Sequence, residues 1–137
     1  MGIDRQYFKE NHFIRTKFFG CIDDQILMQY VNEHNKETEG ISNLKELVDL
    51  RKITSVRSLT TKSVTMAAGI EQHLPDCRLA ILAPKNDLVV YGLANAYRMF
   101  AEDSRELVKV FENIQEALGW LSTSEQEAES LALLMVG

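Results

Sequence analysis

The sequence predicts an α/β domain, a mixed and mostly parallel β-sheet with helices that opens on an N-terminal β-hairpin. Three observations carry this prediction. Aromatic and β-branched residues crowd the first twenty positions without helical spacing. The run "RLAILAP" is continuously apolar, the pattern of a strand covered on both faces. From residue 23 onward, helical segments alternate with short apolar runs, and each helix is long enough to cross back over a parallel sheet.

Taken in order, "RQYFKENHFIRTKFF" (5–19) reads as two strands punctuated by polar Glu10 and Asn11. "GCIDDQILMQYVNEHN" follows, with Asp23 as helix cap and Ile26, Leu27, Tyr30 and Val31 on one face. Residues 37–43 are polar with a glycine and form a loop, and "LKELVDL" is a short strand ending at Leu50. A helix is expected from Thr60 to His73, broken by Pro75 and Asp76. "RLAILAP" then supplies the strand expected at the sheet's centre. Asn86 or Asp87 caps "LVVYGLANAYRMF", a helix running to about Glu102, and "RELVKVF" is the last strand. Asn113 and Glu116 form an N-x-x-E cap before "IQEALGWL". Residues 1–122 thus make one domain. Residues 123–137 read as a C-terminal tail with a capping signal of its own, Ser124 and Glu127, and with Leu131, Leu134 and Met135 at helical spacing; it is expected to be helical and docked on a partner.

Composition bounds the function. The 137 residues are 45% hydrophobic and 26% charged, enough for one genuine core. The net charge of −5, with basic and acidic residues interspersed, lacks the footprint a phosphate backbone requires, so nucleic acid is not expected as a partner. No apolar run approaches the roughly twenty residues of a membrane span. Cys21 and Cys77 stand far apart with no metal-ligand spacing, and no leader pattern precedes them, so a cytoplasmic setting is expected. His12, His34 and His73 have no i, i+3 or i, i+4 partners, so no metal site is proposed and each reads as a surface or hydrogen-bonded histidine. The glycines form no phosphate-binding loop or nucleophile elbow. Neither a cofactor nor catalysis is expected. Cys21 precedes a helix start, where a thiol can be activated, yet "FFGCI" surrounds it with apolar neighbours; a buried structural cysteine is expected.

Residues 5–121 resemble the STAS superfamily, in particular the small SpoIIAA-like bacterial proteins often compared with CRAL-TRIO lipid carriers. The resemblance rests on "LVDLRKITSV", "RLAILAP", "LVVYGLANAYRMF" and "VKVFENIQEALGWL" in that order. It implies a STAS-like sheet and a non-enzymatic regulatory or protein-interaction role, or else carriage or sensing of a small apolar, lipid-like ligand. Regulatory STAS domains carry an Asp-Ser-Ser-Gly phosphorylation loop. Here that stretch places Arg57 at the aspartate, Ser58 and Leu59 at the serines and Thr60 at the glycine, so the usual phosphoacceptor is absent.

In open α/β sheets, ligands sit beyond the carboxyl ends of the strands. Those loops are 51–61, 84–87 and 112–113, with a positive edge from Arg51, Lys52, Arg57, Lys62 and Lys85. The candidate ligand or phosphorylation residues are therefore Arg57, Ser58, Thr60, Thr61, Lys85, Asn86 and Asp87, against the simpler reading of solvated loops and helix caps.

The helix over 88–100 is apolar nearly all round. Val89, Leu93, Ala96, Tyr97 and Phe100 are expected to face the sheet. Leu88, Tyr91, Gly92, Asn95 and Met99 form a candidate interface, with Gly92 permitting close approach of either the sheet or a second subunit. A homodimer follows from that face, a protein partner from the regulatory reading, and a small apolar ligand from the carrier reading, its pocket expected between the helices at 60–73 and 88–100.

Overall fold

A computed structural model describes residues 2–70, 76–101 and 107–135. The hairpin forms as β1 (Gly2–Phe8) and β2 (Phe13–Cys21), antiparallel, joined by a single 3-10 turn at Lys9–Asn11. His12 closes that turn in the left-handed region at φ 49°. Helix α1 (Asp24–Glu37) starts where expected, the Asp23 carboxylate accepting from the Ile26 N–H at 2.8 Å. Then come β3 (Lys45–Ser55), α2 (Thr61–Ile70), β4 (Arg78–Leu82), α3 (Leu88–Ala101), β5 (Leu107–Phe111), α4 (Ile114–Leu121) and α5 (Glu125–Leu134). The expected ends at His73 and Glu102, the start of the last strand at Arg105 and Glu106, and the break at Pro75 lie outside the described residues.

The sheet order is β1-β2-β3-β4-β5, with every pair after the hairpin parallel. The central strand is therefore β3, correcting the expectation for "RLAILAP". β4 is nevertheless buried on both faces because helices cover both. β3 also runs five residues past the expected end at Leu50. It does so because β2 is long: beyond a register shift, Phe19, Gly20 and Cys21 pair with Lys52, Ile53 and Ser55. Arg51 and Lys52 are strand residues, not loop residues.

Right-handed crossovers that always advance in the same direction put their helices on one side of the sheet. α1, α2 and α3 do share a side, where Tyr30, Val31, Ala67 and Ala94 meet Phe18, Val48, Leu79 and Ile81. The opposite side would be bare: Phe13, Leu47, Ala80 and Leu82 point there by strand alternation. The last two helices cover it, with Ala117, Leu118 and Leu121 of α4 and Leu131 of α5. The segment read from sequence as a tail for a partner is seated on this chain's own core. Ser124 caps α5 by accepting from the Glu127 N–H at 3.1 Å, Glu127 pairs with Lys45 of β3, and Arg15 of β2 donates to the Leu134 carbonyl at 2.6 Å.

Candidate functional site

The loops chosen from sequence are solvent-exposed, and Arg57, Ser58, Thr60, Thr61, Lys85, Asn86 and Asp87 all lie on the surface. Their polar groups are largely spent on local structure. Thr60 Oγ1 accepts from the Ser63 N–H at 3.1 Å, the cap of α2, and donates to the Asp24 carboxylate at 3.1 Å. The Thr60 N–H donates to the same carboxylate at 2.9 Å and holds the Asp24 carboxyl below its ordinary value. Asp87 caps α3 through the Val90 N–H at 3.2 Å. The positive edge is also partly neutralised, since Arg51 pairs with Asp49 at 3.0 Å and Lys85 lies 3.6 Å from Glu112. Arg57 and Ser58 line a small cleft with Asp23, Ser55 and Cys21, whereas Lys85, Asn86 and Asp87 do not reach it. Cys21 is exposed, contrary to expectation, because it ends β2 at the rim of the sheet beyond the cover of the helices; Cys77 is the buried cysteine.

α3 is rotated from its expected setting. Val90, Ala94 and Ala101 are its buried residues, with Tyr91 and Tyr97 partly buried against the same core, while Val89 and Phe100 face solvent. Of the candidate interface, Leu88, Gly92 and Met99 are exposed. Tyr91 and Asn95 are half-buried, the Asn95 amide donating to the Tyr91 carbonyl at 2.9 Å. A side chain at Gly92 would meet no atom within 4 Å, which excludes tight packing of this glycine against the sheet.

Two features escaped the sequence reading. The first is a buried polar cluster. Glu46 of β3 lies fully inside, and its Oε2 accepts from Arg5 at 2.9 Å, Thr16 at 2.7 Å and Tyr30 at 2.8 Å. Arg5 also donates to Glu37 at 3.0 Å and lies 3.0 Å from His34 Nδ1, which is 3.4 Å from Glu46 Oε1. Burial pushes the Glu46 carboxyl up, but His34, Arg5 and the two hydroxyls outweigh it and leave the carboxyl below its ordinary value. Arg5 is held further above its ordinary value by Glu46 and Glu37 against the opposing effect of burial. The cluster joins β1, β2, β3 and α1. Its signal in the sequence was a glutamate inside a strand destined for the sheet's middle, where an unpaired charge is not tolerated.

The second is an apolar cavity of about 90 Å³ between the sheet and the three helices of one side. Phe18, Val48 and Ile81 form its floor, Leu27, Val64 and Ala94 its helical walls, and Val56 and Leu59 line it from the loop after β3. This is broadly the position expected for an apolar pocket, with α1 contributing as well as α2 and α3. Leu59, which the resemblance aligns with a phosphoacceptor serine, is one of the cavity's apolar lining residues.

No protein-family model matches the sequence, and no curated protein matches it. Among solved structures, the chain is similar to an uncharacterised protein of the DUF3478 family with a SpoIIAA-like fold from Shewanella loihica PV-4. The two share 17% identity over 88% of this chain and 93% of the other, with a TM-score of 0.53. No helix among the described residues is long and apolar enough to cross a membrane. With its hairpin-led, mostly parallel five-stranded sheet and flanking helices, the chain has a SpoIIAA-like fold.

Proposed function

We propose that this protein is a non-enzymatic carrier or sensor of a small apolar, lipid-like ligand held in the cavity beneath α2 and α3. The observation that carries this reading is the cavity itself. The pocket is only partly enclosed, and a ligand seated in it would cover apolar wall that otherwise meets solvent. Its lining offers a ligand no charged group, only aliphatic and aromatic surface, so a methyl-rich chain end or a small ring is the matching chemistry. The loop that bears a phosphoserine in regulatory STAS domains here supplies Leu59 to the wall, which favours a ligand over a phosphorylation switch. A second reading, a regulatory protein-interaction module, is favoured by the uncharged outer face of α3.

Native mass spectrometry of freshly purified protein, followed by titration with octanoic and lauric acid, tests the ligand reading. The expected result is a retained or added mass on wild-type protein. It disappears in Ala94→Leu, which fills the pocket from its wall. Absence of any adduct, or equal binding by both proteins, would refute the proposal.

A further inference from the structure

The outer face of α3 has a spacing that matches itself. At 3.6 residues per turn, Leu88, Val89, Gly92, Ala96, Met99 and Phe100 fall within about 120° of the helix circumference, opposite buried Val90 and Ala94. Leu88, Val89, Met99 and Phe100 are 80%, 61%, 61% and 60% exposed, and Arg98 is the only charged residue in the helix. The six positions are symmetric about residue 94: Leu88 mirrors Phe100, Val89 mirrors Met99, and Gly92 mirrors Ala96. Large residues stand at both ends and small ones in the middle. Leu88, Gly92, Ala96 and Phe100 also form one i, i+4 row, the kind of ridge that packs into the corresponding groove of a second helix, with the ends splaying apart and the small residues at the crossing.

From this geometry we propose that the protein forms a two-fold symmetric homodimer through antiparallel packing of α3 on α3, crossing at Gly92 and Ala96. A two-fold interface needs one patch that is complementary to itself, which this face is. The antiparallel direction follows from side-chain size. It sets Leu88 and Val89 of one protomer against Phe100 and Met99 of the other at both ends, so the two gaps are equal; a parallel pair would crowd two Phe and two Met at one end and leave the other loose. Leu88, Val89, Met99 and Phe100 give the face four large, mostly exposed apolar side chains to bury in such a contact. The space around Gly92 is open in the single chain, ready for a second backbone.

Sedimentation analysis at concentrations on the order of 10 µM, where a micromolar dimer is populated, should give twice the chain mass of 15.6 kDa. Gly92→Leu and Met99→Glu should each return the protein to the monomer mass with an unchanged circular dichroism spectrum. Direction is read by cross-linking in a Cys21→Ser background, which removes the exposed thiol. Under mild oxidation, an equimolar mixture of Leu88→Cys and Phe100→Cys chains should form a covalent heterodimer while neither variant cross-links alone. A wild-type protein that stays monomeric would overturn the proposal, as would a dimer indifferent to both face variants. Efficient cross-linking of Leu88→Cys by itself would overturn the antiparallel arrangement. Monomeric protein that sediments with phosphatidylcholine vesicles, and loses that binding in Met99→Glu, would reassign the face to a lipid surface.

Discussion

Replacing Glu46 by leucine removes the acceptor that organises the buried cluster, and its cost can be worked from the structure. The Arg5 side chain is 7% exposed and that of Glu46 3%, so neither is rescued by water. Without Glu46, the Arg5 guanidinium keeps only the partly exposed Glu37 carboxylate as an anionic partner among those described, and the Thr16 and Tyr30 hydroxyls lose their acceptor. Removing one member of a buried pair in this way costs about 3–5 kcal/mol. For a domain of this length each kcal/mol moves the melting temperature by roughly 3–4 °C, so a fall of about 10–20 °C is expected. Arg5→Met alone should also be destabilising, because among the described residues it leaves the buried carboxylate with only His34 and the Thr16 and Tyr30 hydroxyls against it. The double variant, however, removes both charges together and should be much less destabilised than the sum of the two. The assay is urea unfolding followed by circular dichroism for all four proteins, compared at a common m-value. Additive losses, or a loss below about 1 kcal/mol for Glu46→Leu, would show that the cluster is not a coupled unit.

The same carboxyl gives a pH dependence with a definite sign. Because its folded value lies below the ordinary 4.5, its contribution to stability is complete above that value and is lost as pH falls through the folded value. The melting temperature of wild-type protein should therefore approach that of Glu46→Gln as pH is lowered below 4.5, and parallel profiles for the two proteins would contradict this. Leu131, 1% exposed under α5, tests whether the last helix belongs to the core. Leu131→Ala should cost about 2–5 kcal/mol in urea unfolding, whereas a change within experimental error would mean that α5 is not part of the folding unit.

The amino-acid sequence by itself determined the class of the fold, the order of its elements and the starts of its helices. Those properties are local. Asp23, Asn113 and Ser124 cap helices by accepting N–H groups two or three residues away, and helical or strand periodicity is written over a dozen positions, so both are legible without knowing what lies across the sheet. The carboxyl-end loops and the apolar character of α3 were legible for the same reason. Which side of α3 would be buried was not, because it is apolar nearly all round and periodicity cannot choose among apolar faces; the packing of Val90 and Ala94 chose.

Only the tertiary structure decided the rest. The length of β3 follows from its pairing with β2, and the exposure of Cys21 from where that pairing ends. The Arg5–Glu46 pair spans 41 positions and becomes visible only when β1, β2 and β3 lie side by side. The cavity is a mismatch between the side chains of one sheet face and those of three helices, a volume no single segment encodes. The place of α5 was settled by the sheet. Three crossovers that advance in one direction cover one side, and burying the apolar residues left bare on the other required the chain's last helices to fold back over Phe13, Leu47 and Leu82.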